Sequence, residues 1–222
     1  DDEFPINPAR GWDGNDEIYG GAGSDRIFGG GGNDIIYAGE YDESHEEGKK
    51  DNAKDYLLGG KGDDILVANG GGDELYGEAG NDALYASDRA YLSGGEGNDT
   101  LYALTAVGAE LLGDEGNDIL YAGVSKLSTL SGGKGDDILY ADKANDVLLS
   151  GDEGDDTLIS GSGKNVKLEG GAGKDNYIIK DETFFSGHQT VISDSDGDWI
   201  LTLGGNDFSG GRPHWTASGV LT

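Results

Sequence analysis

The sequence predicts an all-β fold, a parallel β-roll (β-solenoid) of about 18–19 residues per coil with a C-terminal β cap. Three observations predict it. A nine-residue Gly-rich pattern returns in ten copies between residues 11 and 178. From Gly94 onward the copies keep a period of 19, starting at Gly94, Gly113, Gly132, Gly151 and Gly170. Each copy ends in a short run centred on one large apolar residue, too short for a helix and bounded by Gly-rich turns.

The repeat is G-G-x-G-x-D-x-U-x, where U is large and apolar. Gly29-Gly30-Gly31-Gly32-Asn33-Asp34-Ile35-Ile36-Tyr37 is a full copy, and others begin at Gly11, Gly20, Gly59, Gly77, Gly94, Gly113, Gly132, Gly151 and Gly170. A degenerate copy starts at Ala68 and keeps Asp73 and Leu75. Within the 19-residue period, nine residues are motif and ten form a second segment. That segment has its own apolar residue two before the next Gly: Leu57, Leu92, Leu111, Leu130, Leu149 or Leu168. One coil is therefore two short strands joined by two turns. The position-eight residues Ile18, Ile36, Leu66, Leu84, Leu101, Leu120, Leu139, Leu158 and Tyr177 are expected to face those leucines across a thin core. Small residues two positions later (Ala38, Ala68, Ala86, Ala103, Ala122, Ala141, Ser160) leave little room between the sheets.

The motif resembles the RTX, or hemolysin-type, repeat family over residues 11–178, about three quarters of the chain. The resemblance implies a right-handed roll, Ca²⁺ between stacked turns, and export by type I secretion machinery. The residues also suit that ion. Ca²⁺ takes six to eight oxygen ligands. Gly-rich turns can aim backbone carbonyls at one centre, and coils stacked about 4.8 Å apart let two turns share an ion. One continuous edge is expected from the turns starting at 11, 29, 59, 77, 94, 113, 132, 151 and 170. Its candidate ligands are Asp16, Asp34, Asp64, Asp82, Asp99, Asp118, Asp137, Asp156 and Asp175. Carbonyls are expected from the turns at Gly14, Gly29, Gly32, Gly59, Gly62, Gly77, Gly80, Gly94, Gly97, Gly113, Gly116, Gly132, Gly135, Gly151, Gly154, Gly170 and Gly173. Nine turns allow about eight ions between them. The opposite edge is expected to carry only isolated turns at 20 and 68, with Asp25 and Asp73 as weaker candidates. Any single copy also reads as an ordinary Gly-Asn-Asp turn. Position two departs from Gly at Trp12, Glu78, Asp114 and Asp152. The acids are expected to add charge near an ion, and Trp12 to weaken the first site.

Composition agrees. Against 44 Asp and Glu there are 15 Lys and Arg, a formal charge of −29. A chain this acidic repels itself when compact, and repels nucleic acid and anionic membranes. Eight divalent ions would bring it to −13. With no Cys, neither disulfides nor thiolate zinc can staple the fold. No run has the roughly 18 to 20 apolar residues of a membrane span. No signal peptide is visible, and the lack of Met even at position 1 reads as a processed piece or a fragment.

Outside the roll, residues 1–10 read as a lead-in, 39–52 as an acidic insert loop, and 179–222 as a more aromatic capping segment. Asp194, Asp196 and Asp198 alternate like the start of an EF-hand, but Trp199 stands where that loop needs Gly, so a plain turn is the simpler reading. On the outer face, Tyr19, Tyr37, Tyr85, Tyr102, Tyr121 and Tyr140 are expected to stack beside Ile35, Ile65, Ile119 and Ile138. A partner-contact face or a carbohydrate platform is the alternative. There is no G-x-S-x-G, H-E-x-x-H or Walker A motif, and His45, His188 and His214 are scattered, so no catalytic residue is assigned. The expected function is a monomeric, calcium-dependent folding and secretion module of a larger secreted or cell-surface protein. An adhesin or ligand-binding module is the alternative.

Overall fold

The computed structural model describes residues 9–39, 53–103, 105, 107–180, 190–195, 199–203 and 206–209. The lead-in up to residue 8, most of the insert loop and much of the capping segment lie outside them. The described chain winds between two sheets. Ten strands form the first, from Ala9–Arg10 to Thr190–Ser193, and eleven form the second, from Glu17–Tyr19 to Asn206–Ser209. Successive strands of each sheet pair in parallel, except that Asn206–Ser209 closes the second sheet antiparallel to Trp199–Leu203. Every coil contributes one strand to each sheet, so all parallel neighbours in a sheet are one coil apart.

Register is set by the two apolar positions per coil. In the first sheet Ile27, Leu57, Leu75, Leu92, Leu111, Leu130, Leu149 and Leu168 fall on one line. In the second sheet Ile36, Leu66, Leu84, Leu101, Leu120, Leu139, Leu158 and Tyr177 do the same. All of these are fully buried. A one-residue slip in any strand would turn its core side chain to water. The small residues expected to narrow the core, Ala38 to Ser160, are buried too. The core is thus one large residue deep per strand.

The outer tyrosines stack as the sequence suggested. Ring centroids are 4.8 Å apart for Tyr85–Tyr102, 4.7 Å for Tyr102–Tyr121 and 4.6 Å for Tyr121–Tyr140, with planes within 7° of parallel. Tyr19 and Tyr37 stack separately at 4.9 Å, because Val67 interrupts the row. Inside the stack each ring covers the next, so few π-faces are left open for a ligand. A second aromatic row, not foreseen, runs over the first sheet through Phe28, Tyr56, Tyr76 and Tyr91 at tilted angles.

The coils also continue past residue 178. Thr190–Ser193 pairs with Val166–Glu169, and Trp199–Leu203 with Asp175–Ile179. Part of the capping segment is therefore a tenth coil in register, followed by the antiparallel strand.

Candidate metal centre

Two edges join the sheets. The motif edge carries the turns that lead from the first sheet to the second; the return edge carries those that lead back. On the motif edge the nine turns stack directly. From the second turn on, their second positions align as Gly30, Gly60, Glu78, Gly95, Asp114, Gly133, Asp152 and Gly171. The backbone is left-handed there, which explains the glycines. Glu78, Asp114 and Asp152 accept the same conformation at φ of 76–77°, a strain of order 1–3 kcal/mol each. Asp114 accepts the hydroxyl of Ser93, and Asp152 those of Ser131 and Ser150, on the outer face of the first sheet. These two carboxylates accept serine hydroxyls, and their charge still bears on the aspartate row, Asp114 on Asp99 and Asp118 and Asp152 on Asp156.

The motif aspartates form that row. Each carboxylate accepts, through Oδ1, the backbone N–H of the aspartate one coil earlier. The distance is 2.8 Å from Asp16 to Asp34, 2.7 Å from Asp64 to Asp82 and from Asp99 to Asp118, and 3.0 Å from Asp156 to Asp175. The chain of bonds is unbroken from Asp16 to Asp175. From Asp34 onward these side chains are at most 2% exposed. The other oxygen, Oδ2, is buried without a hydrogen-bond partner in Asp34, Asp64, Asp82, Asp99, Asp118, Asp137 and Asp156. A buried carboxylate oxygen with no donor is costly unless a cation faces it. In the first turn, by contrast, Asp16 Oδ2 accepts the backbone N–H of Trp12 at 2.8 Å.

Position one supplies the rest of the cradle. A β-carbon on Gly29, Gly59, Gly77, Gly113, Gly132 or Gly151 would collide with Oδ2 of its own turn's aspartate and with the position-one carbonyl oxygen of the next turn. Carboxylate and carbonyl oxygens from neighbouring coils therefore converge on the same small space. Among the described residues no three acidic or imidazole side chains gather at one point. Any ion here would take most of its oxygens from backbone carbonyls, as Ca²⁺ readily does. The donor set fits that ion.

Burial pushes the carboxyls from Asp64 to Asp156 far above their ordinary range, aided by repulsion from neighbouring carboxylates and opposed by the accepted N–H bonds. Asp64 and Asp99 rise to about 6, Asp82, Asp118 and Asp156 to about 7, and Asp137 to about 8. The unfolded value is about 3.9. Without metal the folded chain therefore holds more protons than the unfolded chain across this window. The resulting stability is complete below pH of about 4 and is lost as pH rises through about 6 to 8. The metal-free protein is expected to gain far-UV β signal when titrated from pH 8 to pH 4. A flat or falling signal would contradict this origin of its instability.

Position five carries a second row. Asn33 N–H donates to Asn15 Oδ1 at 2.9 Å, Asn81 to Asp63 at 2.8 Å, Asn117 to Asn98 at 2.7 Å and Asp155 to Asp136 at 2.9 Å. This row points from later coils to earlier ones, opposite to the aspartate row, so each turn is tied in both directions. It needs only an acceptor oxygen, which is why Asn and Asp alternate in it. Asn117→Ala is expected to cost about 1 kcal/mol in chemical denaturation of the calcium-loaded protein, while Asn117→Asp should be near neutral. Equal losses in both would remove the acceptor argument.

The return edge differs from the expectation of isolated turns. Asp25 N–H donates to Asp55 Oδ1 at 2.8 Å, and Asp55 N–H to Asp73 Oδ1 at 2.9 Å. These three form a contiguous short row, and Asp55 had been missed. Its signal was present in Asp55-Tyr56-Leu57, the D-x-U end of a copy whose Gly-rich start is replaced by the insert. Beyond Asp73 the same line is filled by Ala90, Ala109, Ser128, Val147 and Val166, all buried. Small or apolar side chains there need no cation.

Comparison with known families agrees with this geometry. The family model described as the RTX calcium-binding nonapeptide repeat matches residues 11–40, 51–88, 90–104, 110–124, 128–158 and 150–178. No curated protein matches the chain.

Proposed function

From the premise that the chain belongs to the RTX calcium-binding repeat family, we propose that it is a calcium-dependent folding and stabilising module of a larger secreted protein. Ca²⁺ lies in the intervals of the motif edge, held by Asp16, Asp34, Asp64, Asp82, Asp99, Asp118, Asp137, Asp156 and Asp175 with carbonyls of the Gly turns between them. Asp25, Asp55 and Asp73 offer a shorter set on the return edge. The observation that carries this reading is the row of buried Oδ2 atoms with no donor.

The function follows from the energetics. Two carboxylates one coil apart, about 4.8 Å, repel by on the order of 3 kcal/mol at an effective dielectric of about 20. Several such intervals exceed the net stability of about 5–15 kcal/mol usual for a domain. A core one residue deep does not offset that. The chain stays unfolded where calcium is scarce and folds where it is plentiful, because binding and folding are the same event. That switch suits passage through type I secretion machinery as an unfolded chain, followed by folding outside the cell. Any catalysis or adhesion belongs to other parts of the parent protein.

Calorimetric titration with Ca²⁺, followed in parallel by circular dichroism, tests the reading. About eight ions are expected on the motif edge, with up to two more on the return edge, and β signal should grow with occupancy. No calcium uptake, or uptake by a chain already folded, would refute it.

A further inference from the structure

We propose that the tenth turn ends the ion row by a hydrogen bond instead of an ion, and that Tyr177 and Asp194 make that closure. This rests on the reading that cations fill the earlier intervals of the motif edge.

The tenth turn is a copy of the motif with its key positions exchanged. Asp194-Ser195-Asp196-Gly197-Asp198-Trp199-Ile200-Leu201-Thr202 keeps Gly at position four and Leu at position eight. Pairing of Asp175 with Trp199 and of Tyr177 with Leu201 fixes this register. Position six, an aspartate in all nine earlier turns, is now Trp199, which is buried at 9% exposure against the core. Trp199 has no carboxylate to extend the aspartate row. Position one, a glycine in all nine earlier turns, is now Asp194.

The ninth turn is altered to match. Its position eight is Tyr177, fully buried, where seven of the earlier copies have Leu or Ile buried in the same line. In seven of the eight earlier turns the space over the position-one glycine is shared by the aspartate Oδ2 and the carbonyl oxygen of the next turn. Over Gly170 it is shared by Asp175 Oδ2 and the Tyr177 hydroxyl. The phenol oxygen is thus the nearest partner of Asp175 Oδ2 in the space over Gly170. It donates its proton to Asp194 Oδ2 at 3.2 Å. Beside it, Ser195 Oγ donates to the Gly171 carbonyl, engaging a second oxygen of the same interval. The two hydroxyls of this interval thus give their protons to Asp194 Oδ2 and to the Gly171 carbonyl, bonds that the inner intervals lack. The last coil is docked without a cation, and the row stops.

The test is the number of ions bound. Calcium per chain is measured by atomic emission after equilibrium dialysis, for the wild type, Tyr177→Phe, Asp194→Asn, and a triple variant that restores the motif (Tyr177→Leu, Asp194→Gly, Trp199→Asp). The two single variants should keep the wild-type ion number, with a lowered melting temperature for the calcium-loaded protein. The triple variant, if folded by circular dichroism, should bind one ion more than the wild type. Loss of one ion in Tyr177→Phe or Asp194→Asn would make the pair ligands and overturn the proposal alone. A folded triple variant with no added ion would do the same. If the triple variant does not fold, the single variants decide. A wild type that binds no calcium would defeat the functional reading, and this one with it.

Discussion

Removal of calcium with excess EGTA at pH 7.5 is expected to abolish most of the β spectrum of the protein. At that pH most ladder carboxyls lie at or above the values that burial imposes on them, about 6 to 8. They are therefore substantially ionised, one above another along a single edge, with a formal charge of −29 on the whole chain. Unfolding relieves both the repulsion and the desolvation. High salt should recover little structure, because screening acts weakly on buried charges, whereas re-added Ca²⁺ should recover all of it. The decisive measurement is far-UV circular dichroism before and after chelation. An intact β spectrum in EGTA would mean that the two hydrogen-bonded rows and the thin core suffice, and the ion would be an accessory.

The second large effect is expected at Asp118, in the middle of the motif edge. Its Oδ1 accepts the Asp99 N–H at 2.7 Å, while Oδ2 has no hydrogen-bond partner. Asp118→Asn keeps an acceptor for Asp99 and places an amide beside the Gly132 carbonyl, which meets the same space. It removes one charge from the ion. The calcium midpoint for folding should rise about tenfold, equivalent to about 1.4 kcal/mol, and metal-free stability should not fall. Asp118→Ala also orphans the buried Asp99 N–H, at a further cost of about 1–3 kcal/mol. The expected order of calcium requirement is wild type, then Asn, then Ala. Two variants of equal requirement would show that the hydrogen bond to Asp99 contributes nothing beyond the charge.

The acid response of the metal-free chain links these two results. With calcium bound, protons compete for the same oxygens, so acid displaces the ion. Without calcium, acid neutralises the row and favours the folded state. The opposite signs come from one set of carboxylates. They separate this device from a general loss of stability in acid.

Much of this was legible in the sequence because the fold is nearly one-dimensional. In a stack of coils every long-range contact joins one period to the next, so period, core positions and motif turns follow from spacing alone. The burial of Leu92, Leu111 and Leu130 and the Tyr102–Tyr121–Tyr140 stack needed nothing beyond that period. Asp55 was harder to see, since the insert replaced the glycines that identify a turn and left only D-x-U. The position-five row was hidden because Asn and Asp form no pattern until their shared acceptor oxygen meets the next coil's N–H.

The sequence by itself determined the two-strand coil, the line of core leucines and the aspartate of every motif turn, since each depends on what lies one period away. Only the tertiary structure decided which oxygens of those aspartates are already bonded. It also decided that Asp114 and Asp152 turn to serines, and that Tyr177 reaches the space over Gly170. Those outcomes depend on side-chain direction across neighbouring coils, and residue spacing carries no information about direction.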